Sequence, residues 1–131
     1  MLKPIDIVKA ARNEINECDN KDLCDAIDAK KLIIDVREPE EYTQGFIAHS
    51  INVPRGLIEF AIFDHPAIKP HHHEELAQTE IYVYCKSGGR SALAAKSLKN
   101  LGFQRVTSLK EGIMGWEKEG YKIDTTQDYH Y

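Results

Sequence analysis

Tyr82-Val83-Tyr84-Cys85-Lys86-Ser87-Gly88-Gly89-Arg90-Ser91 decides how the rest of the chain is read. A short apolar run ends on a cysteine, and after four intervening residues Arg90 opens a helical pattern. A cysteine between a strand end and a helix start, in a loop with two adjacent glycines, is well placed to be a nucleophile. Backbone N–H groups of such a loop can point inward as an anion-binding nest. The following helix N-terminus adds partial positive charge, and Lys86 and Arg90 add full charges. Each stabilises negative charge on sulfur, and the thiolate is the nucleophilic form of cysteine. The plainer alternative is an inert buried cysteine at a strand end. The flanking lysine, glycines and arginine argue against it.

Downstream of the loop, Ala94, Leu98 and Leu101 recur at helical spacing, and Gly102 stands where a left-handed C-terminal cap needs glycine, with Phe103 able to pack back on Leu98. Residues 105–109 read as a further strand, and residues 112–119 as a last helix with Ile113 and Trp116 on its inner face. Upstream, residues 31–36 read as a buried strand with Asp35 near its end, and Arg37 follows. Pro39 stops that strand, and residues 40–44 suit a helical turn ended by Gly45. A short strand over residues 51–53 is cut off by Pro54, and Arg55 follows it. Residues 57–63 are too apolar for an exposed loop and predict a helix packed on the core. Residues 64–78, with Pro66, Pro70 and the run His71-His72-His73, predict a loop. At the N-terminus, Pro4, Ile5, Val8, Ala11 and Ile15 predict a helix over residues 4–17, and Asn20 is a candidate N-cap for a shorter second helix. Residues 1–30 are thus expected to be a helical extension and residues 121–131 a polar tail. Strands alternating with helices, without hairpin signals, predict an α/β fold with a parallel sheet covered by helices on both faces.

At 131 residues the chain suits one domain with a real core. Its formal net charge of -4 gives no bulk attraction to nucleic acid or anionic membrane, so any pull on anions is local. No apolar run approaches the ~20 residues that span a bilayer. The N-terminus carries an early acid, Asp6, and does not read as a signal peptide. Three cysteines without framework spacing suit a reducing compartment, and the cytosol is expected.

Four segments in order resemble the single-domain rhodaneses, a sulfurtransferase family. They are Cys85-Lys86-Ser87-Gly88-Gly89-Arg90-Ser91; Asp35-Val36-Arg37-Glu38-Pro39-Glu40-Glu41-Tyr42; Gly45-Phe46-Ile47-Ala48-His49-Ser50-Ile51-Asn52-Val53-Pro54; and Leu109-Lys110-Glu111-Gly112-Ile113-Met114-Gly115-Trp116. The resemblance implies a five-stranded parallel sheet. It also implies a ping-pong reaction in which Cys85 takes a sulfane sulfur from thiosulfate or a persulfide, becomes a persulfide, and yields that sulfur to a thiol or to cyanide. No cofactor or metal is implied, and a protein sulfur acceptor also fits. Many members have two glycines where this chain has Glu111-Gly112, which bears on the turn before the last helix.

The chemistry assigns roles around Cys85. Gly88 and Gly89 let backbone curl about the sulfur, Ser87 and Ser91 can donate hydroxyl hydrogen bonds, and Lys86 and Arg90 can draw a dianionic donor. Arg90 can equally cap the loop by binding its carbonyls or an acid. Arg37 and Arg55 can add charge at the pocket mouth or simply hold the fold; Asp35 is expected to be structural and His49 to brace its loop. The histidine run lacks a second ligand cluster and reads as a solvated loop. Cys18 and Cys24 read as small core hydrophobes. The four residues between Cys85 and Arg90 suit a single sulfur atom, whereas phosphatase relatives and the tyrosine phosphatases use five. A non-turnover persulfide carrier or redox-sensing module acting with a protein partner is the alternative reading.

Overall fold

The computed structural model describes residues 1–66, 68–69 and 73–125. In chain order the elements are α1 (Pro4–Arg12), β1 (Asn16–Cys18), α2 (Asn20–Asp28), β2 (Leu32–Asp35), α3 (Pro39–Gln44), β3 (Ile51–Asn52), a 3-10 turn (Arg55–Leu57), α4 (Ile58–Ala61), α5 (His73–Gln78), β4 (Glu80–Tyr84), α6 (Gly89–Leu101), β5 (Arg105–Leu109) and α7 (Gly112–Lys118). The strands form one parallel sheet in the order β1-β5-β4-β2-β3.

Alternation along the central strands explains the two helical layers, because successive side chains leave opposite faces of a strand. Ile81, Val83 and Cys85 join Ile34, Val36 and Val106 beneath α4, α5 and α6, with Ile58, Ile62, Leu76, Ala94, Ala95 and Leu98 closing that layer. Ile33, Tyr84 and Leu109 face the other way, onto Leu23 and Ala26 of α2 and Ile113 and Trp116 of α7. Parallel pairing sends every strand end to one edge, where Val36 N–H donates to Tyr84 O at 2.9 Å and Arg55 N–H to Val36 O at 2.9 Å. The loop after β4 therefore lies beside the loops after β2 and β3.

Several expectations hold. Gly102 takes φ 116, and Phe103 N–H closes the cap on Leu98 O at 3.1 Å. Pro39 opens α3, and Gly45 ends it. Trp116 is buried and donates its indole N–H to Lys122 O at 2.9 Å.

The N-terminal 30 residues differ from a purely helical extension. α1 stops at Arg12, and residues 16–18 supply the fifth strand, pairing with Thr107, Ser108 and Leu109. Ile15 continues the helical spacing, but the three-residue edge strand needs only backbone pairing and shows no apolar alternation. Asp19, not Asn20, caps α2: its Oδ1 accepts from Asp22 N–H at 2.9 Å, while Asn20 is buried and donates to Gly115 O at 3.3 Å. Within residues 57–63 the expected helix is short, α4 following a 3-10 turn that ends at Leu57, and it packs on the core as expected through Ile58, with Phe60 left exposed. The loop predicted for residues 64–78 contains α5, which begins at His73; His71 and His72 lie outside the described residues. The expected polar tail is pinned at its start by a two-way backbone bridge between Phe46 and Asp124, 2.9 and 2.8 Å, and by Tyr121 against Trp116. Residues 126–131 lie outside the described residues. No helix among those described is long and apolar enough to cross a membrane.

Candidate active site

Cys85 leaves the end of β4 and its Sγ sits inside the loop that follows. Gly88 N–H donates to Sγ at 3.1 Å and Ser91 N–H at 3.3 Å. The Ser91 hydroxyl lies 3.4 Å from the sulfur, donates to Gly88 O at 3.2 Å, and shares a 2.8 Å hydrogen bond with Ser108. Ser91 and Ser108 are both fully buried. Two backbone donors thus converge on one atom, an arrangement that stabilises an anionic sulfur, while the Ser91 hydroxyl, its proton given to Gly88 O, accepts from the Cys85 thiol. Cys85 is 1% exposed, so the loop almost closes over its own sulfur.

The loop is built by the absence of side chains. Gly88 has φ 103, and a Cβ there would lie 2.2 Å from Lys110 O and 2.8 Å from Nη2 of Arg12. From the other side, Gly112 has φ 66, and a Cβ on it would lie 2.3 Å from Lys86 O. This close approach lets the first turn of α7 hold the loop: Ile113 N–H donates to Cys85 O at 2.8 Å and Met114 N–H to Lys86 O at 3.0 Å. The departure at Glu111 is harmless, because its φ of -106 suits any residue and the left-handed position falls on Gly112.

The charged residues divide. Arg90 makes a two-pronged pair with Glu41 of α3, at 2.7 and 3.0 Å. The hydrogen bonds from Arg90 pull the Glu41 carboxyl down to about 2 against the opposing effect of burial, with help from Glu38 N–H. Of the two open readings for Arg90, the pairing with an acid is the one observed. Arg37 is buried and spent on the fold: it grips Asp35 through Nε at 3.1 Å and Nη2 at 2.7 Å, and Nη2 also donates to Gly45 O at 2.7 Å. Burial opposes its charge most strongly, but the Asp35 hydrogen bonds together with the negative charge of Asp35 and its neighbours outweigh it, so the guanidinium is held more firmly protonated. Asp35 is structural, as expected. Arg55 pairs with Glu59 at 3.7 Å. Lys86 and Ser87 are exposed, and Lys86 has no carboxylate partner among the described residues.

A cavity of about 540 Å³ borders the loop, lined by Arg37, Glu41, Gln44, Gly45, Lys86, Ile113, Met114, Glu117, Tyr121, Ile123 and Thr125. Arg37 thus reaches the groove wall with its charge already matched, and Arg55 is not among the lining residues. His49 takes φ 70 in the turn closed by Ser50 N–H on Ile47 O. Cys18 ends β1, and burial, then Asp22, Asp19 and Glu17, push its thiol up to about 12. Among the described residues no three His, Cys, Asp or Glu side chains gather as metal ligands.

The Rhodanese-like domain profile matches residues 19–119. The chain belongs to the rhodanese-like family. A sulfurtransferase of Allochromatium vinosum is 30% identical over 111 residues, covering 83% of this chain and 94% of that one. The crystal structure of a rhodanese-related protein from Thermoplasma volcanium superposes with TM-score 0.68 at 31% identity, over 85% of this chain and 99% of that one. A Rhodopseudomonas palustris protein of unknown function, described as a possible tyrosine phosphatase, gives TM-score 0.78 at 26% identity, over 95% and 96%.

Within this rhodanese-like domain, sequence reasoning missed three contributors to the loop. Ser108 carried a weak signal, a serine inside the apolar strand run Val106-Thr107-Ser108-Leu109. Glu41 lies 49 positions from Arg90 and Arg12 lies 98 from Lys110, and no local pattern links either pair.

Proposed function

We propose that this rhodanese-like protein is a sulfurtransferase that carries a sulfane sulfur on Cys85. The observation that supports it most is the convergence of Gly88 N–H and Ser91 N–H on Sγ. In the first half-reaction the Cys85 thiolate attacks the outer sulfur of thiosulfate or of a persulfide. The donor S–S bond breaks, sulfite or a thiolate leaves with the electron pair, and a new S–S bond forms on Cys85. Leaving groups of this kind need no proton to depart, which fits a loop with no histidine base. In the second half-reaction an acceptor thiolate or cyanide attacks the transferred sulfur and returns Cys85 as thiolate. The nest faces the same atom in both halves and stabilises negative charge on it without reorganising.

The four-residue spacing between Cys85 and Arg90 supports sulfur over phosphate. Gly88 N–H engages the sulfur within that span and Ser91 N–H just beyond it, and Arg90, a natural phosphate clamp, is held by Glu41. The experiment is donor loading followed by intact mass. Wild type treated with thiosulfate or cysteine persulfide should gain one sulfur atom, released by cyanide as thiocyanate, and Cys85→Ser should gain none. Loading on Cys18 or Cys24, or hydrolysis of an aryl phosphate at the rate of sulfur transfer, would overturn the assignment. Loading without turnover to small acceptors would favour the carrier alternative.

A further inference from the structure

Lys86 and Arg90 were expected to draw a dianionic donor and Arg37 and Arg55 to add charge at the pocket mouth or hold the fold; the structure pairs each of the three arginines with a carboxylate, Arg55 the most loosely, its buried Nε left without a partner among the described residues. Arg90 is clamped by both oxygens of Glu41, Arg37 by both oxygens of Asp35, and Arg55 pairs with Glu59. Of the loop's own two cations, only Lys86 lacks a carboxylate partner among the described residues. With Arg37 and Glu41 paired elsewhere, the charges left lining the bordering groove are Lys86 and Glu117, one of each sign. Ile113 and Met114 add apolar wall, and Met114 is 56% exposed beside the loop. Thiosulfate carries two negative charges and leaves as a sulfite dianion. It needs uncompensated positive charge where it binds, because a matched ion pair offers little net field to a further anion.

We infer that the sulfur donor is the persulfide of a small organic thiol of low net charge, and that Glu41 sets this preference by neutralising Arg90. This rests on the transfer chemistry proposed above and narrows its donor. The step balances: R–S–SH and the Cys85 thiolate give Cys85–S–SH and R–S⁻. One S–S bond breaks, one forms, the proton stays on the transferred sulfur, and the leaving thiolate keeps the electron pair. A single negative charge leaves, which Lys86 alone can meet, and the organic part of the donor lies against Met114 and Ile113.

The test measures the first half-reaction on the full chain. Second-order constants for loading Cys85 from thiosulfate and from cysteine persulfide are read by acid quench and intact mass. Wild type should load from the persulfide on the order of tenfold faster or more. Glu41→Gln frees Arg90 and should shift the ratio of the two constants toward thiosulfate by about fivefold. A ratio is insensitive to a fraction of inactive protein. If Glu41→Gln does not fold, the salt dependence of wild-type thiosulfate loading decides: a nearly flat dependence supports the inference, and a steep fall with salt reveals uncompensated cations and overturns it. A wild type that prefers thiosulfate, or a ratio unmoved in Glu41→Gln, also overturns it while leaving the transfer chemistry standing. Loading by neither donor defeats the transfer reading itself, and this inference with it.

Discussion

Gly88 and Gly112 face each other's loops across gaps that admit no Cβ, and both sit at positive φ. Alanine at Gly112 would drive a methyl group into Lys86 O and strain the backbone together. Gly112→Ala should destabilise the fold by about 1–3 kcal/mol and depress Cys85 loading beyond what the lost stability explains, because the Ile113 and Met114 donors would move off the loop. Gly56, with nothing within 4 Å of a Cβ, provides the contrast; Gly56→Ala should fall within about 0.5 kcal/mol of wild type in denaturant melts. The cysteines separate by environment. The thiol of Cys18, pushed up to about 12 by burial and three neighbouring carboxylates, stays protonated well above pH 9. In the native protein, iodoacetamide at pH 8 should therefore leave Cys18 unmodified, and its labelling should rise only as pH approaches 12 or as urea unfolds the chain; mass mapping of the peptides reads this directly. Labelling of native Cys18 at pH 8 would contradict the burial described. Residue types and spacing marked Cys85, Gly88, Gly89 and Ser91; the structure places Gly88 N–H and Ser91 N–H on the sulfur, with only Gly88 of the two glycines at positive φ, since Gly89 already begins α6. Types and spacing could not give away whether Arg90 faces substrate or Glu41, because that depends on which carboxylate the fold brings near.

The elements that were easy to read are those whose own residues specify them: α6 with its Gly102 cap, β4 with its apolar run, α3 between Pro39 and Gly45. The elements that were misread borrow their stability. β1 is three residues held by pairing with β5, and α5 follows prolines that signal a break. α1 was read as a helix from Pro4 and is one, though it stops at Arg12. Ile5 and Ile7 stay exposed, while Val8 packs near Gly89 and Ala11 is buried. Its last residue, Arg12, pairs with Glu17, donates to Lys110 O at 3.5 Å, and stands beside Gly88. Arg12 is a positioning residue for the loop from behind. Arg12→Ala should slow Cys85 loading by roughly threefold to tenfold with little change in donor KM, and Arg12→Lys should recover part of the loss. Equal loading by Arg12→Ala and wild type would show that Gly88 is held by Lys110 alone.

At the scale of the molecule, the parallel sheet gathers the ends of β2, β3, β4 and β5 on one edge, and the site assembles there from segments dispersed between Arg12 and Gly112. Alternation within β2 and β4, with helices between strands, made the layered architecture legible. The buried Asp35–Arg37 pair and the Tyr84 hydroxyl, which accepts from Ile47 N–H at 3.1 Å and bonds Ser50 at 2.8 Å, tie the loops after β2 and before β3 to the strand that delivers Cys85. Such ties join residues distant in sequence, and each becomes visible only once the sheet order is known.

The place of β1 has a practical corollary for anyone trimming the protein. The family profile begins at residue 19, one position after this strand. A fragment cut to residues 19–119 would strip β5 of its outer neighbour and leave the edge at Thr107, Ser108 and Leu109 with unpaired N–H and C=O groups. Exposed edges of this kind template sheet-to-sheet association, whereas β1 is a poor template, being short and carrying Glu17. Light scattering at matched concentrations should find the fragment more self-associated than the full chain, and equal scattering would mean that β5 is guarded by something else. Residues 16–18 thus serve as an insulating hem on the sheet.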